Sequence, residues 1–134
     1  MDREHQEKLS LIKELILLSR VDHGATPLEK NFIIVIAEKM GIFAGEVEKL
    51  YFEDVPFTPP QDEFRRIFHF QSLLLMMGID QRFTQAERDF CRDVGLRMGL
   101  NNWSVEQLIE NMVENEGKPL PPGEVIKIFK AGYN

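Results

Sequence analysis

The chain has 134 residues and a mass of 15.6 kDa, about the length of one ordinary domain spanning 1–134. Apolar residues make up 43% and charged ones 28%, enough for a packed core and too apolar for a disordered tail. Sixteen Lys+Arg against 22 Asp+Glu give a net charge of −6, which disfavours a phosphate-backbone binder with its clustered basic face; no nucleic acid is expected. The single cysteine, Cys91, excludes an intramolecular disulfide. The N-terminal segment has mixed charge and does not read as a signal peptide. The longest uncharged apolar-rich run, 70–79, is too short to span a membrane, so a cytoplasmic chain without direct membrane insertion is expected.

The chain carries an internal repeat. Shifted by 58 residues, 15–51 lies on 73–109 without a gap, and 11 of the 37 positions are identical. Among them are Asp22/Asp80, Thr26/Thr84, Glu29/Glu87, Phe32/Phe90 and Gly41/Gly99. Ordinary residue usage gives roughly two or three identities by chance, so a duplication is the better account. Copy one covers about 9–54, copy two about 59–116, and a C-terminal helix over about 122–131 closes the chain. The predicted fold is all-α, about seven helices, with a helix-hairpin unit duplicated about a pseudo-twofold axis.

In chain order, Leu9, Ile12, Leu15 and Ile16 follow helical spacing over about 3–21. Thr26-Pro27-Leu28-Glu29 reads as a capping box with proline at the first helical position. Phe32, Ile33, Val35, Ile36 and Met40 make that second helix apolar over more than half its circumference, which predicts a central place and a buried Phe32. Gly41 stops it. A short helix is expected over about 45–53. A proline-rich linker comes next, with Thr58 as the cap of the helix after it, 59–77. Copy two repeats the scheme with the Thr84…Glu87 box, an inward Phe90, and the stop Gly99. Ser104 opens the next helix, and no stretch alternates as a half-buried strand does.

Each copy sets the same polar residues at the same turn, Asp22-x-x-Ala25-Thr26-x-x-Glu29 and Asp80-x-x-Phe83-Thr84-x-x-Glu87. A helix hairpin can bring such carboxylates together, and four of them around one axis suit hard divalent cations. An aspartate at a helix C-terminus also faces the negative end of the dipole, and a cation offsets that. A purely structural reading stands beside this one. Glu29 and Glu87 complete capping boxes, and the aspartates accept from amides of the following helix.

The Asp, the apolar residue three on and the Glu seven on, between two helices of a duplicated all-helical chain, resemble the TerB-like family. That family includes tellurite-resistance proteins and the helical domain of a DnaJ-like co-chaperone. The resemblance covers about 9–112. It implies a non-enzymatic all-α module in a stress-response assembly, with a divalent cation (Ca²⁺, Mg²⁺ or Mn²⁺) held by Asp22, Glu29, Asp80 and Glu87. Members often carry glycine directly after the aspartate, where this chain has His23 and Gln81. Gly24 falls one place late, and Arg82 stands opposite it, close enough in sequence to neutralise Asp80.

No other motif carries chemistry. His5, His23 and His69 share no Glu-x-x-His or His-Glu-x-x-His spacing with a carboxylate; beside Asp22, His23 reads as a solvated turn residue in preference to a member of that site, and His69 as a helix-face residue. Cys91 aligns with Ile33 and reads as a small core residue. Met76, Met77, Phe64, Phe68 and Phe70 sit at helical spacing and read as core. No phosphate loop, nucleophile elbow or Cys-x-x-Cys pair occurs, and no enzyme is expected. The alternative to the cation-binding module is a metal-free interaction domain, for an unidentified protein partner or for self-association. Exposure of Phe43, Tyr51, Phe52 and Trp103 would favour it.

Overall fold

The computed structural model describes residues 2–22 and 24–133. Seven helices succeed one another: α1 (Arg3–Ser19), α2 (Pro27–Lys39), α3 (Ala44–Leu50), α4 (Glu63–Met77), α5 (Gln85–Arg97), α6 (Asn102–Glu114) and α7 (Pro122–Ala131). There is no strand among the described residues.

The helix ends obey the local chemistry of the repeat. Thr26 Oγ1 accepts from the Glu29 amide at 3.2 Å while the Thr26 amide donates to Glu29 Oε1 at 3.0 Å. Thr84 and Glu87 make the same box at 3.2 and 3.1 Å. Gly41 and Gly99 take the left-handed conformation, φ 74° and 79°, that lets the chain reverse after α2 and α5. The amides just beyond them then bond back, Ile42 to the Ala37 carbonyl at 2.9 Å and Leu100 to that of Gly95 at 3.1 Å. The two triplets part company at the third helix: α3 has 7 residues and α6 has 13.

Two caps differ from the sequence reading because their side chains are used elsewhere. Asp62, not Thr58, caps α4, accepting from the Arg65 amide at 3.0 Å. Thr58 is buried in the linker, where its hydroxyl donates to the Pro56 carbonyl at 3.1 Å and its amide donates to Ser10 Oγ at 2.9 Å, tying the strap to α1. Asn101, not Ser104, caps α6, accepting from the Ser104 amide at 3.0 Å. Asn101 Nδ2 and Ser104 Oγ also donate to the Gly132 and Ile128 carbonyls, at 2.7 and 3.0 Å, so the last turn of α7 docks on the start of α6.

One hydrophobic core draws on all seven helices. Its centre is α1, which touches α2, α3, α4 and α5. Being surrounded, α1 also buries polar side chains, and three of them, Glu7, Lys13 and Glu14, face charged or polar groups of neighbouring helices. Glu7 accepts from Arg3 at 3.1 Å and from Arg65 of α4 at 2.9 Å. Lys13 donates to the Leu50 carbonyl at 2.6 Å, at the electronegative end of α3. Glu14 lies 3.8 Å from Arg97 of α5; burial pushes its carboxyl up, and Arg97 only partly reverses this.

The expected central place of α2 is not what the structure shows. Only Glu29, Ile33 and Ala37 of α2 are buried, and Leu28, Ile34 and Val35 face outward. Phe32 and Phe90 are half-buried against the core rather than enclosed by it. Phe64 and Phe68 are likewise exposed, while Phe70, Met76, Met77 and Cys91 are buried. His69 lies inside rather than on an open helix face. The fully enclosed phenylalanines are instead Phe70 and Phe129. Phe32→Ala is expected to cost about 1–2 kcal/mol, well short of the loss from a fully buried ring, and a shift of the urea midpoint at constant slope measures it.

Candidate functional site

The paired acids lie in two turns, one between α1 and α2 and one between α4 and α5. In the first, Asp22 is exposed and accepts a hydrogen bond from the Thr84 hydroxyl, 62 residues away. The first turn is thereby tied to the cap of the second. In the second, Asp80 accepts from the Arg82 amide at 3.1 Å and pairs with Arg82 Nε at 3.5 Å, so the arginine does stand beside it. Glu29 and Glu87 each commit Oε1 to the amide of their own cap.

Asp22, Asp80 and Glu87 share one electrostatic neighbourhood. Burial pushes the Glu87 carboxyl above its usual range, the Thr84 amide pulls it back, and the negative charges of Asp80 and then Asp22 add to the rise. Glu29 is not among the charges acting on Glu87 and keeps to its own capping box. Among the described residues, no three or more His, Cys, Asp or Glu side chains are arranged to hold a metal ion. His23 lies outside the described residues. As placed, Glu29 and Glu87 each close their own cap, and Asp22 ties the first turn to the second through Thr84.

The second turn also carries backbone strain. Gln81 and Phe83 have φ of 56° and 47°, the left-handed region that glycine adopts without cost. Gln81 stands where the TerB-like pattern has glycine. Gln81→Gly is expected to raise stability by about 0.5–1 kcal/mol, since relief of the strain outweighs the added freedom of the unfolded chain. A thermal melt that moves downward would contradict this.

A different feature lies on the outer face of the first triplet. Between α2 and α3 runs a groove of about 630 Å³, floored by Ala37, Ile42 and Val47 and rimmed by Ile34, Tyr51 and Phe52. Arg20, Lys30, Glu38 and Glu48 add charge of both signs to its edge. Phe52 is 90% exposed, and nearby Phe43, at the start of α3, is 78% exposed.

The repeat explains why this groove is open. Ile34 and Val35 correspond to Arg92 and Asp93 of α5, and Glu48 corresponds to Glu106 of α6. Arg92 bridges α5 to α6 through Glu106, with Nη2 donating to Oε2 at 3.2 Å. An isoleucine at the equivalent place makes no such bridge, and an apolar side chain is left in solvent where the second triplet has a closed ion pair. Comparing the two copies position by position for their differences, rather than for their identities, singles out Ile34 and Val35.

Burial pushes the Cys91 thiol well above its usual range. Among these residues no helix is long and apolar enough to cross a membrane. No protein-family model, no curated protein and no solved structure matches this chain.

Proposed function

We propose that the chain is a non-enzymatic, cytoplasmic helical interaction module whose working surface is the α2–α3 face. The observation that carries this reading is the outward Ile34, Val35 and Phe52, two of which replace the charged pair Arg92 and Asp93 of the second triplet. Contiguous exposed apolar surface of this kind marks interaction sites rather than ordinary solvent faces. The resemblance to TerB-like domains agrees with such a role and suggests a stress-response assembly as its setting. The module is tested with the apolar dye ANS at low protein concentration. Dye fluorescence is expected to rise on the wild type and to fall sharply in Ile34→Arg and Phe52→Ser at unchanged helical circular dichroism. Equal dye binding by all three proteins would contradict the assignment.

A second reading has one observation in its favour, the negative charges of Asp80 and Asp22 that act on Glu87. In it a divalent cation joins these carboxylates, with Glu29 added by the family resemblance. It requires that millimolar Ca²⁺, Mg²⁺ or Mn²⁺ stabilise the fold, by about 2.7 kcal/mol at a hundredfold excess over Kd, and that Asp22→Asn reduce the gain. A melting temperature that none of the three ions moves would remove this reading.

A further inference from the structure

We infer that the α2–α3 face pairs with a second copy of this chain, α2 lying antiparallel on the partner's α2 about a twofold axis through Ile34. The inference rests on the reading of this face as a docking surface and names its occupant. Lys30, Ile34 and Glu38 are spaced four residues apart, so they form one stripe along the outer side of α2, and all three border the groove. Lys30 lies one turn, about 6 Å, before Ile34, and Glu38 one turn after it. A twofold axis at Ile34 therefore sets each Lys30 against the partner's Glu38, and each Glu38 against the partner's Lys30. Neither residue has an ion-pair partner among the described residues, although the chain pairs charges freely at Arg65, Arg92 and Arg97.

The charge order selects this occupant over others. A uniformly acidic or basic peptide would meet one favourable and one unfavourable charge on the stripe. A second copy in the antiparallel sense meets two favourable ones, which is the self-complementarity that a twofold interface demands. Ile34 on Ile34 at the axis, with the exposed Val35 next to it in the chain, then supplies the apolar centre between the charged ends.

Sedimentation velocity of the full chain tests this over a concentration series from about 1 μM to about 1 mM, which brackets Kd values in that range. The wild type is expected to pass from monomer to dimer across the series. Ile34→Arg should remain monomeric yet fold, because an arginine there reproduces the Arg92 position and has Glu48 to pair with. Lys30→Glu and Glu38→Lys should each weaken the dimer roughly tenfold or more, as like charges replace both symmetric pairs. The double variant Lys30→Glu/Glu38→Lys should recover most of the affinity. A wild type that stays monomeric throughout overturns the pairing, and so does a double variant no tighter than the single ones. If the wild type is monomeric while ANS binding still depends on Ile34, self-pairing fails and the docking surface stands. If the dye response is also independent of Ile34, both fail.

Discussion

Phe70→Ala is expected to cost about 3–5 kcal/mol, the loss of a fully enclosed ring together with the cavity it leaves. The ring lies where α4 meets α5, and Gly95 makes that meeting possible. A β-carbon on Gly95 would come within 2.9 Å of Phe70 Cε1 and 3.0 Å of Val105 Cγ2. In an open helix, glycine to alanine gains about 1 kcal/mol. Here two core side chains must give way, and Gly95→Ala is expected to destabilise by about 1–2 kcal/mol instead. With Phe70 already reduced to leucine, the added methyl meets free space on one side, so the same substitution should become neutral or favourable. Urea unfolding of Phe70→Leu, Gly95→Ala and the variant carrying both measures the coupling, expected at about 0.5–3 kcal/mol. Strict additivity would show that the two positions do not touch.

The second large effect is a loss of stability in acid. His69 is only 8% exposed, and burial lowers its pKa from 6.5 to about 4, with the Arg65 charge adding to the drop and Asp62 opposing it. Between those two values the unfolded chain binds a proton that the folded chain refuses, so stability falls as the pH falls. The stabilisation is fully present above pH 6.5 and is lost progressively down to about pH 4, about 3 kcal/mol in all. Glu14 and Glu87 act with the opposite sign, because carboxyls pushed up by burial favour folding as they are protonated. His69→Gln keeps a polar side chain that does not titrate. It should flatten the profile between pH 6.5 and 4, and a profile as steep as that of the wild type would show that other groups govern the acid transition.

What the sequence made legible was local. Thr26, Glu29, Thr84 and Glu87 form their boxes with residues three positions away, and Gly41 and Gly99 end helices by their own backbone freedom, so pattern alone locates them. The features that pattern misplaces depend on residues far along the chain. Thr58 has the chemistry of a cap, but its amide is held by Ser10, 48 residues away, its hydroxyl turns to Pro56, and α4 starts only after Asp62. His69 has the spacing of a helix-face residue, and only the packing of other helices buries it. The Asp22–Thr84 bond, which joins the two turns, spans 62 residues and has no sequence signature.

The difference at α2 has another physical cause. Apolar residues around most of a helix signal burial, but they do not say whether this chain or another molecule does the burying. Ile33 and Ala37 meet the core of the same chain. Ile34 and Val35 meet solvent, although their periodicity promises an interior. The four turn acids pose the converse problem. Their pattern fits a ligand set and a pair of capping boxes alike, and it does not foretell that oxygens of all four bond to Thr26, Thr84 and Arg82.

Calorimetric titration of the metal-stripped chain with Ca²⁺, Mg²⁺ and Mn²⁺ separates the turns from the α2–α3 face most directly. If the acids are turn latches and the α2–α3 face is the working surface, no ion produces a saturable heat. Asp22→Asn then weakens the tie to Thr84 equally with and without metal. A saturable heat with one of the three ions, abolished by Asp22→Asn, would contradict that account and place the function in the turns.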